Sequence, residues 1–143
     1  MTTVRRTVTV PGDRRQVWDY LADFTRTEEW DPPTVSTERI EGEGGVGTVY
    51  RNVSAFLGKK STTLYTVAAY DPPERLVLDG DAGPMALHDT IELEQDAGLV
   101  HVHYTSEFRP RGPLKVLTPL LSLGLKKVGD DTARQLGQCL RRL

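Results

Sequence analysis

Cysteine and histidine are both scarce in this sequence. Cys139 is the single cysteine among 143 residues, and there are three histidines. A lone cysteine excludes an intrachain disulfide and makes a reducing compartment the simpler expectation. His101 and His103 share one predicted strand face, but a zinc site normally needs three or four converging ligands. We therefore expect no metal site and no cofactor.

The chain also lacks long apolar runs and an excess of charge of one sign. No stretch reaches the roughly eighteen apolar residues of a transmembrane helix. The opening segment, MTTVRRTVTVPGD, has no apolar core of signal-peptide length. The formal net charge is −2, whereas binding of nucleic acid calls for a basic patch. We expect a cytoplasmic protein that has no integral membrane segment and binds no nucleic acid.

The N-terminal part of the sequence predicts a strand followed by two short helices. Residues 3–10 alternate between apolar and polar side chains, with Arg6 as an exception on the apolar face. Asp13 is a candidate N-cap for a helix whose apolar residues keep helical spacing as far as Phe24. A second short helix follows and ends at the pair Pro32–Pro33, because proline has no amide donor.

The rest of the sequence predicts an antiparallel sheet and one long helix. Residues 34–109 contain about six short runs rich in Val, Thr, Tyr and Leu, separated by turn signals. From Leu114 through Leu117 to Leu140, apolar residues recur every three or four positions, which predicts a helix. Pro119 lies inside this segment and is expected to kink it or to loosen its first turns. The predicted fold class is α+β in a single domain, residues 1–143, with helices against one face of the sheet.

Four phrases make the sequence resemble a known superfamily. They are VPGDRRQVWDYLADF, the tryptophan before the proline pair, GGVGTVYR and YDPPERLVLDG. With Val17, Leu21 and Asp23 in its first helix, the chain resembles the START-like (SRPBCC) superfamily, and most closely its polyketide cyclase/dehydrase and lipid-transport group. The resemblance implies a helix-grip fold, in which a curved antiparallel sheet wraps around a long C-terminal helix and leaves an internal cavity.

The last predicted hairpin supplies the main candidates for a binding site. If its loop is residues 95–98, Asp89 lies opposite Tyr104, and Ser106 lies one pleat further along. The face that carries them is otherwise apolar and therefore points inward, where a carboxylate needs hydrogen-bond donors. We expect Asp89, Tyr104 and Ser106 to hold the polar end of a ligand. A purely structural hydrogen bond is the alternative.

Aromatic residues supply three further candidates. A hairpin with its loop at residues 56–59 pairs Tyr50 with Tyr65 on an inward face, where the rings are placed to contact an aromatic guest. Trp30 lies beside the break between the second helix and the sheet, where it is placed to line the cavity. Core packing is the alternative for all three residues. The apolar loop tip, Phe56–Leu57–Gly58, is a hypothetical gate at the cavity mouth.

Two functions remain open at this point. The first is that of a binding protein which holds a hydrophobic small molecule, such as a lipid, an isoprenoid or a polyketide-like compound, in the cavity. The second, implied by the resemblance, is that of a polyketide cyclase/dehydrase-type enzyme with Asp89 as general base and Tyr104 as acid. A partner-binding or regulatory module is a third alternative, and a homodimer is left open.

Overall fold

An antiparallel sheet forms one layer of the structure. The computed structural model describes residues 1–56 and 58–143, apart from the side chains of residues 117 and 118. Within these residues the strands are β1 Thr2–Pro11, β2 Thr34–Glu41, β3 Val49–Phe56, β4 Lys59–Asp71, β5 Arg75–Asp81, β6 Met85–Asp96 and β7 Leu99–Pro110. They lie side by side in the order β1-β7-β6-β5-β4-β3-β2.

Helices cover the concave face of this sheet. They are α1 Arg14–Ala22, α2 Thr27–Trp30 and α3 Thr118–Arg141, with 3-10 helices at Phe24–Arg26 and Gly112–Leu117. The predicted order of one strand, two short helices, about six strands and one long helix is confirmed. The helix-grip fold is confirmed with it. Among the helices of the described residues, none is long and apolar enough to span a membrane.

Local capping explains where the helices begin. Asp13 accepts a hydrogen bond from the backbone N–H of Arg15 at 3.3 Å, as its position before α1 predicts. Of the two effects expected of Pro119, a kink within the C-terminal helix is not found, whereas the turns just before it, Gly112–Leu117, are 3-10 rather than α-helical. Because α3 begins at Thr118, Pro119 lies in its first turn, where no helical hydrogen bond needs its N–H. The side chain of Leu117, which belongs to the predicted apolar stripe, lies outside the described set.

The two hairpins that carry the candidate residues differ in how well their registers were predicted. The register of β3 and β4 is confirmed, with Tyr50 opposite Tyr65. The predicted register of β6 and β7 is wrong by two residues, so that Asp89 lies opposite Ser106 rather than Tyr104. The error came from the turn, which consists of only two residues, 97 and 98, both with positive φ. Because side chains alternate with a period of two, this even shift leaves every residue on its predicted face.

Two apolar clusters fill the space between the sheet and the helices. The larger lies beneath α1, α2 and the second half of α3 and includes Val8, Trp18, Leu21, Phe24, Trp30, Leu78, Ile91, Val102, Leu136 and Leu140. The smaller joins Val4 of β1 to Leu121 and Leu125 of α3, and Phe56 is partly buried against it. Phe56 belongs to the predicted gate, whereas Leu57 of that gate lies outside the described residues.

Two glycines of α3 face β1, and one of them is required for close packing. A Cβ atom on Gly129 would lie 2.5 Å from Cγ1 of Val4, which is much too close. A Cβ atom on Gly137 would lie 3.1 Å from the flexible guanidinium of Arg141 and 3.5 Å from Cγ1 of Val8. The distance between α3 and β1 therefore requires glycine at position 129 but leaves room for a methyl group at position 137.

Alanine at these two positions should have opposite effects on stability. Gly129→Ala should lower the free energy of unfolding by about 1–3 kcal/mol, because overpacking against Val4 exceeds the gain in helix propensity. Gly137→Ala should leave it unchanged or raise it by up to about 1 kcal/mol. Urea denaturation of the two variants and the parent protein measures this difference. Equal effects of the two substitutions would contradict the close approach of α3 to β1.

Candidate functional site

A small cavity lies between the two apolar clusters, under the middle of α3. Its volume is about 50 Å³, which is enough for a few water molecules. Strands β1 and β7 form one wall and α3 forms the other. The polar side chains of the lining are Arg6, Asp31, Tyr104, Ser106 and Thr132. The remainder of the lining is apolar: Val4, Val8, Phe108, Leu125, Val128, Gly129, Ala133 and Leu136.

Asp89 lies behind this wall, on the inward face of β6. The residue is 2% exposed, and it is not part of the cavity lining. The hydroxyl of Ser106 donates to its Oδ1, and the hydroxyl of Tyr104 donates to its Oδ2 at 3.2 Å. Desolvation raises the pKa of Asp89 from 3.8 to about 6, although both hydrogen bonds oppose this shift. Asp89 thus orients two hydroxyl groups whose residues line the cavity.

Tyr104 connects the Asp89 carboxyl group to the cavity. It lies on β7 two residues before Ser106, and therefore diagonally across from Asp89. Burial raises the pKa of the Tyr104 phenol well above 10, and the negative charges of Asp89 and Asp31 raise it further. The phenol is therefore protonated at neutral pH, so that Tyr104 presents a hydroxyl group rather than a phenolate at the cavity wall.

A second carboxyl group, that of Asp31, lines the cavity directly. Thr34 Oγ1 donates to its Oδ2 at 2.6 Å, and Thr132 Oγ1 of α3 donates to its Oδ1 at 3.3 Å. Desolvation raises the pKa of Asp31, while these two hydrogen bonds oppose the shift. The charge on Asp31 also raises the pKa of both Asp89 and Tyr104. The two carboxyl groups therefore belong to one electrostatic site.

Asp31 is held in place by a chain of polar side chains inside the core. Nδ2 of Asn52, on β3, donates to Thr34 Oγ1 at 3.0 Å and to Thr37 Oγ1 at 2.9 Å. The hydroxyl groups of Thr37 and Thr27 share a further hydrogen bond at 2.6 Å. This chain ties the segment around α2 to β2 and β3, so the position of the Asp31 carboxyl group is fixed by three elements.

Trp30 lies in the larger apolar cluster and not on the cavity wall. It is 1% exposed, and its ring meets that of Tyr104 edge-on at a centroid distance of 5.8 Å. Its Nε1 is a buried polar atom for which the described residues offer no hydrogen-bond partner. Such an atom costs roughly 1–3 kcal/mol. Contact between Trp30 and a ligand stays a prediction.

Tyr50 and Tyr65 pack against a residue that the sequence did not suggest as their neighbour. The ring of Phe24 lies 5.6 Å from that of Tyr50 and 5.1 Å from that of Tyr65. Neither tyrosine lines the cavity of 50 Å³. Tyr50 borders a separate, more open recess of about 210 Å³, with Asp19, Ala22, Asp23, Arg39, Glu43, Gly44 and Tyr70. Ligand-binding roles for Tyr50 and Tyr65 stay predictions.

The histidines lie on the outer face of the sheet, away from the cavity. His101 shares a hydrogen bond with Thr9 at 2.8 Å. His103 does so with Thr7 at 3.0 Å and with Glu94 at 3.1 Å. Across the part of the chain that the structure describes, no group of three or more His, Cys, Asp or Glu side chains is placed to hold a metal ion.

Sequence reasoning did not identify Asp31, Thr132 and Arg6 as residues of the site. Asp31 stands before a proline pair, where an acidic residue is typical of a turn. Thr132 and Arg6 could have been identified from the sequence, because each is a polar residue at a position predicted to face the core. Thr132 interrupts the apolar stripe of α3, and Arg6 interrupts the alternation of β1. The guanidinium of Arg6 pairs with Asp130 at 2.8 Å.

The raised pKa of Asp89 should make stability depend on pH. Its pKa is about 6 in the folded protein and near 3.8 in the unfolded chain. The folded state therefore binds more protons between about pH 4 and pH 6, and it loses stability as the pH rises through this window. Asp89→Asn removes this loss. Its free energy of unfolding, relative to the parent protein, should rise by up to about 3 kcal/mol between about pH 4 and pH 7.

Asp81→Asn is the matched control for this measurement. Hydrogen bonds from Gly83 and Arg111 lower the pKa of the exposed Asp81 carboxyl group, so its linkage to folding lies below about pH 4. Urea denaturation at about pH 4, 5, 6 and 7 should show a pH-dependent difference for Asp89→Asn and almost none for Asp81→Asn. A difference for Asp89→Asn that stays constant with pH would contradict the raised pKa.

Comparison with solved structures supports the fold. The structure resembles the Zhui aromatase/cyclase from Streptomyces, with 23% identity, a TM-score of 0.78 and coverage of 98% of this chain and 94% of that one. It also resembles a START superfamily protein from Mycobacterium smegmatis, with 16% identity, a TM-score of 0.74 and coverage of 99% and 96%. A protein from Thermus thermophilus gives 18% identity, a TM-score of 0.72 and coverage of 94% and 96%.

The family assignment comes from the sequence itself. No curated protein sequence matches this chain significantly. The sequence model of the family described as polyketide cyclase/dehydrase and lipid transport, however, matches residues 1–140. The resemblance to the START-like superfamily is thereby confirmed. The chain belongs to the polyketide cyclase/dehydrase and lipid transport family.

Proposed function

We propose that this protein binds a small, mainly hydrophobic molecule with one polar end in the cavity between the sheet and α3. A lipid, an isoprenoid or a polyketide-like compound has this chemistry. The observation that carries the proposal is the distribution of groups around the cavity. Its lining is mostly apolar, while Tyr104, Ser106 and Asp31 bring two hydroxyl groups and one carboxyl group to it. Apolar contact supplies affinity, and the polar groups orient the guest.

The cavity has to expand to hold such a guest. Its volume of about 50 Å³ is well below the roughly 300–1,000 Å³ of pockets for drug-sized ligands. The C-terminal half of α3 is anchored, because Leu136 and Leu140 lie in the larger cluster and Gln135 Nε2 donates to the carbonyl of Glu29 at 3.0 Å. The N-terminal half rests on the smaller cluster. Expansion should therefore occur by movement of that half, around Leu121 and Leu125.

Filling the cavity should weaken ligand binding. Ala133 lines the cavity, whereas Gln138 is exposed on the same helix. Native mass spectrometry of the purified protein identifies a co-purified guest, and titration with that guest gives its affinity. Ala133→Leu should weaken binding by about tenfold or more, because the added side chain occupies the guest's volume. Gln138→Leu should leave affinity unchanged. Equal affinities in two folded variants would exclude this cavity as the binding site.

A polyketide cyclase/dehydrase-type enzyme is the second candidate function. Its support is the hydrogen bond between Tyr104 and Asp89, whose pKa of about 6 suits a group that exchanges protons near neutral pH. Asp89 does not line the cavity, so it would act on a substrate through Tyr104. The similarity to a solved aromatase/cyclase fits this candidate, although at 23% identity it concerns the fold.

Substitution of the Asp89–Tyr104 pair distinguishes the two functions. In an enzyme, Asp89→Asn and Tyr104→Phe should each lower the turnover of a bound guest by about 10²–10⁴-fold. In a binding protein there is no turnover, and the two variants should only weaken affinity, by about tenfold for each lost hydrogen bond. Product analysis by mass spectrometry and titration of the same guest provide both measurements. If neither variant changes turnover or affinity, this pair has no part in the function.

A further inference from the structure

An apolar stripe is exposed to solvent at the start of α3. Leu120 and Leu123 are 64% and 71% exposed, and Val116, four residues before Leu120, is 81% exposed. Leu120 and Leu123 lie three residues apart and therefore share one face of the helix. Single exposed aliphatic residues are ordinary on protein surfaces, but adjacent ones form a patch that marks an interaction site.

The fold does not use this stripe. Within α3, Leu121 and Leu125 face inward and are buried against Val4, so the opposite face of the helix supplies the packing. Leu120 and Leu123 are absent from the lining of the cavity. The stripe is therefore separate both from the hydrophobic core and from the lining of the proposed ligand site.

The sequence around the stripe is rich in basic residues. Residues 108–129 contain five basic residues, Arg109, Arg111, Lys115, Lys126 and Lys127, and no acidic one, although the whole chain has a net charge of −2. Lys126 and Lys127 are exposed and follow Leu123 by one turn of the helix. Arg109, Arg111 and Lys127 form ion pairs with Glu107, Asp81 and Asp131. The segment keeps a net positive charge beyond these pairs, and Lys126 brings part of it next to the exposed leucines.

The turn between β3 and β4 adds one further lysine, Lys59, to the same surface. The ring of Phe56 packs on α3, because a Cβ atom on Gly124 would lie 3.0 Å from its Cζ. Phe56 pairs with Lys59 across the turn, so the exposed Lys59 lies on the face of the hairpin that meets α3, whereas Lys60 lies on the opposite face. Basic side chains therefore adjoin the stripe from the hairpin as well as from the helix.

The acidic residues nearest to this surface in the chain are engaged in ion pairs. Asp130 pairs with Arg6 at 2.8 Å, and Asp131 pairs with Lys127 at 2.9 Å. A second copy of the chain on this surface would bring two basic segments together, which disfavours self-association. An anionic lipid surface instead meets both features, because aliphatic side chains insert among acyl chains while lysines approach the phosphates.

We propose that this surface docks on the face of an anionic phospholipid bilayer. We call it the leucine–lysine surface: Val116, Leu120 and Leu123 with Lys59, Lys126 and Lys127. Docking places α3 along the interface plane, with Leu120 and Leu123 at the boundary between headgroups and acyl chains. The attraction is partly electrostatic, so it weakens as salt screens the lysines.

Vesicle co-sedimentation tests this proposal. The protein comprising residues 1–143 is mixed with vesicles of phosphatidylcholine and phosphatidylglycerol in a ratio of about 3:1, and separately with vesicles of phosphatidylcholine alone. We expect binding to the anionic vesicles that is at least about tenfold stronger than to the neutral ones, and about tenfold weaker again in about 0.5 M NaCl.

Matched variants locate the contact. Leu120→Ser with Leu123→Ser should reduce binding to anionic vesicles by about tenfold or more, because it removes the inserted side chains. Val46 and Ile40 are also exposed aliphatic residues, and Val46→Ser with Ile40→Ser should leave binding unchanged. Lys126→Gln with Lys127→Gln should weaken binding, whereas the same change at the exposed Arg5 and Arg75 should not.

Three results would overturn the proposal. The first is no binding to anionic vesicles, and the second is equal binding to neutral ones. The third is concentration-dependent dimerisation in sedimentation velocity that disappears in the Leu120→Ser, Leu123→Ser variant, which would make the leucine–lysine surface a contact between copies. Circular dichroism and thermal melting confirm that each variant is folded. The Ala133→Leu variant, which should lose ligand binding, should still bind vesicles. The proposals of ligand binding in the cavity and of docking on a bilayer can therefore be tested independently.

Discussion

The removal of two carboxyl groups from water is the constraint on which the site depends. Asp89 and Asp31 are both desolvated, and each is compensated by two hydroxyl donors and not by a cation: Tyr104 and Ser106 for the first, Thr34 and Thr132 for the second. Desolvation raises the pKa of each group, and these neutral donors oppose the rise less strongly than a paired guanidinium would. Asp89 keeps its donors only while β6 and β7 stay in register, and Asp31 keeps Thr132 as a donor only while α3 stays in place.

The fold could be predicted from the sequence, and so could one half of the site, namely Asp89 with its donors Tyr104 and Ser106. Alternation identifies the face that carries Asp89, Tyr104 and Ser106, and a register error of two residues leaves that face unchanged. Asp31 could not be found in this way, because Thr132, one of its two donors, is 101 residues away in the chain. The cavity volume could not be predicted from the sequence either. It depends on how closely α3 approaches β1 at Gly129, and hydropathy carries no information on that distance.

Successive parts of helix α3 have different roles in the structure. Its C-terminal half is anchored in the larger cluster through Leu136 and Leu140, its middle closes the cavity at Thr132, and its N-terminal turns expose Leu120 and Leu123. The thin packing of the N-terminal half, on Val4, Leu121 and Leu125, makes it the part that separates most readily from the sheet. The ligand entry and the surface docking that we propose thus involve the same half of one helix without sharing a side chain.

The pairing of β1 with β7 has a consequence for biosynthesis. β1 is made first, yet Thr2 lies opposite Phe108 and Pro11 lies opposite Leu99, so its partner strand leaves the ribosome about ninety residues later. At a translation rate of about 5–20 residues per second, this interval is on the order of ten seconds. During that time β1 has no partner strand, and its valines cannot be buried in the sheet. The fold itself therefore cannot protect this nascent segment during that interval.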